Sequence, residues 1–293
     1  ISTRLRLRAA DVLKTEIGDM DRAIAMYCTV LEDETDNVVA LESLDELYQI
    51  TERWPELAKV LQTRVEIAAD VDERVLLFFR LADVSESRLD NADHAFECYR
   101  EIYYLQSGNE DAIEQLERLM QAGVHRADIA ALLEPVYLAA EQWEQLHALL
   151  VLRLELEEDQ LDILELRRRL GELNLTRLDR ATDAQHWFSE AFRLDPADDA
   201  LLSQIETLAR STGEFSQLND VLLDVAIGLD DSERKVVLWH RSAAIVEEQL
   251  NDAEQAETIY ELILDEDADA LTFDDIPNAS DVGQSSSGVL KAV

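Results

Sequence analysis

The sequence predicts an all-α chain, an α-solenoid of about seven antiparallel helix hairpins with one extra helix near 125–140. Three observations carry that prediction. A small or aliphatic residue opens every second helix, at Ala23, Leu57, Ala95, Leu146, Ala184, Leu218 and Ala256, in steps of 34, 38, 51, 38, 34 and 38 residues. The step of 51 is a step of 34 lengthened by 17. A period of this length marks stacked helical hairpins, each burying its apolar stripe against the next. Second, the apolar residues follow helical spacing, as in Ala23, Ile24, Tyr27, Val30, Leu31 and again in Ala95, Phe96, Tyr99, Ile102, Tyr103. Third, eight Gly and four Pro among 293 residues are too few for an all-β chain full of tight turns.

A longer repeat lies over the shorter one. Arg8-Ala9-Ala10-Asp11-Val12 returns as Arg80-Leu81-Ala82-Asp83-Val84 at an offset of 72, then as Arg169-Leu170-Gly171-Glu172-Leu173 and Arg241-Ser242-Ala243-Ala244-Ile245. Each copy is followed by a second helix that pairs a small residue with an aromatic four positions on: Ala23 and Tyr27, Ala95 and Tyr99, Ala184 and Phe188, Ala256 and Tyr260. That step puts both on one helical face. The first element alternates like a strand through Arg4-Leu5-Arg6-Leu7-Arg8, but its copy at Leu76-Leu77-Phe78-Phe79-Arg80 does not, so the repeat assigns it to a helix. Asp19, Asn91 and Asn251 are expected just before helix starts, and Asn109 and Asp198 open two more.

The intermediate hairpins carry an aromatic three residues before a leucine. Trp54-Pro55-Glu56-Leu57, Trp143-Glu144-Gln145-Leu146 and Phe215-Ser216-Gln217-Leu218 align across offsets of 89 and 72. A large ring at the start of a helix, packed on the preceding helix, sets the hairpin angle, and Pro55 sits in the first turn where its missing donor costs nothing. The 17-residue excess lies between Met120 and Trp143, where His125 to Ala140 reads as one helix with Ile129, Leu132, Leu133, Val136 and Tyr137 on one face. Pro135 falls inside it and is expected to divide it, or else the helix packs crosswise, bending the stack. The repeat domain is expected over 1–271. From 272 to 293 an acidic, Ser-rich tail without apolar periodicity is expected to be disordered.

Sixty-four acids against 26 bases give a net charge of −38, and only four bases are Lys (Lys14, Lys59, Lys235, Lys291). Such a surface is a poor match for nucleic acid or an anionic membrane, which need clustered positive charge. No apolar run approaches the ~20 residues that cross a bilayer. Two explanations of the acidity stay open: solubility or adaptation to high salt, and attraction of a basic ligand. Cys28 and Cys98, each beside a matching tyrosine, are expected to be buried free thiols. The chain starts Ile-Ser-Thr with no Met, which reads as a fragment or processed product and leaves the compartment open.

Motifs for chemistry are missing from the sequence. His94, His125, His147, His186 and His240 are scattered with no HExxH or Cys partner, so no metal site is expected. There is no phosphate loop, GxSxG or dinucleotide fingerprint, so no cofactor and no enzyme activity are expected. Asp265-Glu266-Asp267-Ala268-Asp269 begins like a calcium loop, but Ala270 and Ile276 stand where Gly and Glu are needed. Arg167-Arg168-Arg169 is expected to be a solvated helix face.

The chain resembles the tetratricopeptide repeat (TPR) family over about residues 4–265. Its fifth unit carries the resemblance best, with Leu170-Gly171, Ala184, Phe188, Ala191 and Pro196 in the family's order, and Leu44, Tyr48, Trp54 and Leu57 keep family spacing earlier. Most units lack the family's glycine and closing proline. The resemblance implies a right-handed superhelix whose first helices line a concave groove for a peptide or protein. Carried over by alignment, the groove positions are Arg4, Asp11 and Lys14; Glu42, Glu46 and Gln49; Phe79, Asp83 and Glu86; Glu114 and Arg118; Arg168 and Glu172; Ser203 and Arg210; His240 and Glu247. Acids dominate the second and third sets, which implies a basic partner near Glu42, Glu46, Asp83 and Glu86. The Lys/Arg/Asn cluster with which family members grip a C-terminal carboxylate has no counterpart. The alternatives are a spacer or assembly segment of a larger bacterial envelope or motility protein, and a regulatory arm of an enzyme whose catalytic domain lies elsewhere.

Overall fold

The helices run from 10 to 22 residues, and each hides apolar residues against its sequence neighbours. The computed structural model describes residues 3–274, and among these it is all-α. Contacts divide the chain into two compact units, Ile1–Gln142 and Trp143–Val293. The first holds α1 (Thr3–Val12, extended by a π turn over Leu13–Ile17), α2 (Met20–Asp33), α3 (Val38–Ile50), α4 (Trp54–Ile67), α5 (Val71–Leu89), α6 (Ala92–Leu105), α7 (Glu110–Gln121) and α8 (Arg126–Ala139). The second holds α9 (Trp143–Leu156), α10 (Gln160–Thr176), α11 (Ala181–Phe192), α12 (Asp199–Thr212), α13 (Phe215–Ile227), α14 (Ser232–Ile245, extended by a π turn over Val246–Leu250) and α15 (Ala253–Asp274). Within each unit the close helix contacts join consecutive helices, the connectivity of stacked hairpins.

The small-residue and aromatic pairs form the core, as their spacing predicts. Ala23, Tyr27, Ala95 and Tyr99 are buried in the first unit, Ala184 and Phe188 in the second. Tyr260, on the last helix, is the exception at 40% exposed. The residues opposite are equally constrained: Ala10, Ala82, Gly171 and Ala243, one per double repeat, are all fully buried. Only small side chains let the first helix approach a ring on the second.

Sharp helix ends recur at the same two offsets. Gly18, Asp90, Asp179 and Asn251 take left-handed backbone with φ of 74°, 52°, 55° and 55°. The next amide in each case reaches back six residues to a carbonyl: Asp19 to Leu13, Asn91 to Ser85, Arg180 to Asn174 and Asp252 to Val246, at 2.8–3.1 Å. This closure satisfies carbonyls that the helix end would leave bare, and Gly, Asn and Asp are the residues that tolerate it. It also corrects one cap. Asp19, Asn91, Asn109 and Asp198 accept from the first-turn amides as expected, but Asn251 is the left-handed closing residue and Asp252 caps α15.

Pro135 does not divide its helix. The chain runs unbroken from Arg126 to Ala139, with Ile129, Leu133 and Tyr137 buried while Pro135 is exposed. On the outer face the carbonyl stripped of its partner is open to water, which lowers the cost of an internal proline. α8 packs on α7, and the Tyr137 hydroxyl donates to Glu117 Oε1 at 2.7 Å. The segment that begins like a calcium loop is helix, the C-terminal half of α15. Of the expected tail, residues 272–274 end that helix and the remainder lies outside the described residues.

Candidate functional site

The residues carried over to a groove fall on the first helix of each hairpin, and in the first unit cross-helix contacts engage Lys14, Glu46, Gln49, Glu86 and Arg118. Lys14 of α1 pairs with Glu46 of α3. Arg80 of α5 donates to Gln49 of α3 at 3.3 Å, and Arg118 of α7 grips both carboxylate oxygens of Glu86 of α5, one at 2.6 Å. These contacts form a ladder across α1, α3, α5 and α7. Hydrogen bonding to Glu86 holds the Arg118 guanidinium above its ordinary range. Glu42 stands 3.8 Å from Arg64, and Asp83 and Glu114 are exposed on the same helices. Phe79 is half-buried against Tyr99, with ring centroids 6.1 Å apart, so it serves the α5–α6 packing.

In the second unit the corresponding residues are less uniform. Arg168 is half-buried and donates to Asp195 at 3.2 Å and Asp198 at 2.8 Å, tying α10 to the start of α12. Arg167 donates to the Glu190 carbonyl at 2.7 Å. The basic triplet is thus partly buried and engaged, where a solvated face was expected. Ser203 bonds its own helix through the Asp199 carbonyl, and Arg210 pairs with Glu206 at 3.5 Å. Glu172, His240 and Glu247 are exposed, Glu247 within 3.3 Å of the Tyr260 hydroxyl.

Two sets of functional-looking residues escape a groove alignment. The first is Asp45, 3% exposed on α3, which accepts two bonds from Arg80 at 2.6 and 2.7 Å and a third from Arg64. Glu206 and Arg241 reproduce the pair in the second unit at the same sequence separation. That shared separation is the sequence signal. The second set is a pair of stacks: Arg88 lies over the Trp54 ring at 4.8 Å and Arg177 over Trp143 at 4.7 Å. Trp54 and Trp143 are therefore covered by the end of the following first helix.

Cys98 is buried, and burial first, then the Glu97 and Glu101 carboxylates, push its thiol up to about 12. Cys28 is only half-buried, 3.4 Å from the Tyr48 hydroxyl, which departs from the expectation of two buried thiols. In native protein near neutral pH, iodoacetamide should modify Cys28 and spare Cys98 until the chain unfolds. Equal rates at both, followed by peptide mass spectrometry, would contradict this burial. Among the described residues no three His, Cys, Asp or Glu side chains gather as a metal site, and no helix is long and apolar enough to cross a membrane.

No protein-family model matches the chain, and no curated protein matches it in sequence. Solved structures do resemble it, and they are TPR proteins. YrrB, a TPR protein described as having an unusual peptide-binding site, is 15% identical over 67% of this chain and 87% of its own, with a TM-score of 0.28. A thermophilic TPR protein of Thermus thermophilus is 17% identical over 71% of this chain and 98% of its own, at 0.25. A tetratricopeptide repeat protein from Parabacteroides merdae is 10% identical over 89% and 98%, at 0.29. The fold is TPR-like. That description stands on the chain's own consecutive hairpins and on its small-residue and aromatic pairs.

Proposed function

We propose that the chain is a non-enzymatic interaction scaffold whose first unit captures a basic peptide or protein segment on the face made by α1, α3, α5 and α7. The observation that carries this reading is the charge left over on that face. Its carried-over positions hold Arg4, Lys14 and Arg118 against Asp11, Glu42, Glu46, Asp83, Glu86 and Glu114. Lys14 and Arg118 are spent on Glu46 and Glu86. Glu42 stands 3.8 Å from Arg64, so what remains is Arg4 against Asp11, Asp83 and Glu114, within a chain whose net charge is −38. Fields of this kind steer cationic ligands and weaken as salt screens them.

The ladder also decides which charges to change. Reversing Glu42, Glu46 or Glu86 would break internal pairs, whereas Asp83→Lys with Glu114→Lys alters exposed carboxylates outside those pairs. Against a Lys/Arg-rich peptide in low salt, the double variant should bind about tenfold more weakly, two exposed contacts each contributing of order 0.5–1 kcal/mol. Fluorescence polarisation with a Gln-substituted control peptide reads this out. Unchanged affinity discards the acidic face as the docking surface, and no binding by the unmodified chain at any salt favours a spacer.

A further inference from the structure

Three equivalent slots lie between the aromatic that opens an intermediate second helix and the end of the first helix that follows. Trp54 with Arg88, Trp143 with Arg177, and Phe215 with Gln249 have the same separation and are related by offsets of 89 and 72. In the first two the chain fills its own slot, the guanidinium carbon standing over the indole at 4.8 and 4.7 Å from the ring centroid. In the third there is no arginine to do so. Gln249 is exposed, and a pocket of about 480 Å³ stands open between α12, α13 and α14. Phe215, Leu218 and Ile245 give it an apolar floor, and its charged lining is Glu248 together with Glu206 and that residue's two partners, Arg210 and Arg241.

We propose that this pocket receives an arginine side chain from a peptide partner, its guanidinium stacked over Phe215 as Arg88 and Arg177 stack over their rings. Two features suit that occupant. An aromatic face attracts a planar cation, and the attraction grows when water is excluded from the stack. Arginine is also the residue that stacks flat while its edges donate hydrogen bonds. Glu206 is already held by Arg241 and Arg210, so the carboxylate facing an incoming cation is Glu248. The apolar floor takes the methylene stem, as long basic side chains require. The proposal deepens the basic-partner reading and rests on it, naming arginine as a recognised residue.

The probe is the tripeptide Gly-Arg-Gly blocked at both ends, titrated into the 15N-labelled full chain. Saturable amide shifts are expected at residues 215, 218 and 244–249. The citrulline tripeptide, equal in shape but uncharged, should bind about tenfold more weakly. Gln249→Arg restores the internal plug at an exposed position and should abolish the response. Absence of saturable shifts there, equal binding of citrulline, or wild-type binding by Gln249→Arg overturns the proposal. Free arginine binding more tightly than the blocked tripeptide overturns the peptide source. The two proposals fail separately, because the tripeptide shifts are read at residues 215–249 and the charge reversals lie at Asp83 and Glu114.

Discussion

Asp45→Ala should destabilise the first unit by about 3 kcal/mol, the low end of what removing one partner of a buried ion pair costs. The carboxylate is 3% exposed and serves two guanidinium groups at once, Arg80 in a two-point fork and Arg64 alongside. Truncation leaves the Arg64 head, whose side chain is 16% exposed, with only the more distant Glu42 carboxylate at 3.8 Å. Arg80 is 42% exposed and can turn to water, which keeps the cost at the low end. Hydrogen bonding to Asp45 is also the main reason the Arg80 guanidinium sits above its ordinary range. Asp45→Asn should fall between, since the amide keeps one acceptor and the shape but loses the charge. Urea denaturation supplies the overall loss, and hydrogen exchange at α3–α5 amides localises it, because hairpin stacks can open regionally. Glu206→Ala breaks the equivalent pair in the second unit, where Arg210 is 65% exposed, and should cost on the order of 1 kcal/mol. A loss below about 1 kcal/mol for Asp45→Ala would show that the two arginines find other partners at no cost.

How much of this was legible from the sequence depends on which residue types carry the signal. The helices and their order follow from the apolar stripe, because burial selects residue type at fixed spacing. The small and aromatic pairs follow for the same reason. Polar closures are harder to read: Asn251 suits both an N-cap and a left-handed helix end, and only the backbone shows that Asp252 takes the cap. Pro135 misled because the cost of a proline depends on which face it occupies, and here that face is open. In the candidate site, alignment placed Glu42, Glu46 and Gln49 on one face but passed over Asp45, since a buried carboxylate is recognisable only with its arginines. The ladder of Lys14 with Glu46 and Arg118 with Glu86 was hidden likewise. Each pair joins helices some thirty residues apart in sequence. Among 64 acids, no single carboxylate announces its partner.

Gly171→Ala tests the packing that makes the hairpins. Ala at this position should gain about 0.8–1 kcal/mol of helix propensity in a helix interior. The structure predicts the opposite sign. A Cβ placed on Gly171 would lie 2.5, 2.7 and 2.8 Å from three carbons of the Phe188 ring, so α10 and α11 must separate or the ring must leave its position. Overpacking of this kind costs about 1–3 kcal/mol, so after the propensity gain a net loss of up to about 2 kcal/mol is expected in urea unfolding with an unchanged denaturant slope. Ala10, Ala82 and Ala243 occupy the equivalent sequence positions, in units whose aromatics are Tyr27, Tyr99 and Tyr260, so alanine itself is compatible with the hairpin. What forbids it at 171 is the closeness of one ring. Phe188→Leu removes that ring, and in its background Gly171→Ala should become neutral or stabilising. The sign change across the double-mutant cycle separates a steric contact from a general intolerance of the helix. A stabilised Gly171→Ala single variant would mean that Phe188 has room to yield, and that the close approach of α10 and α11 is not set by this glycine.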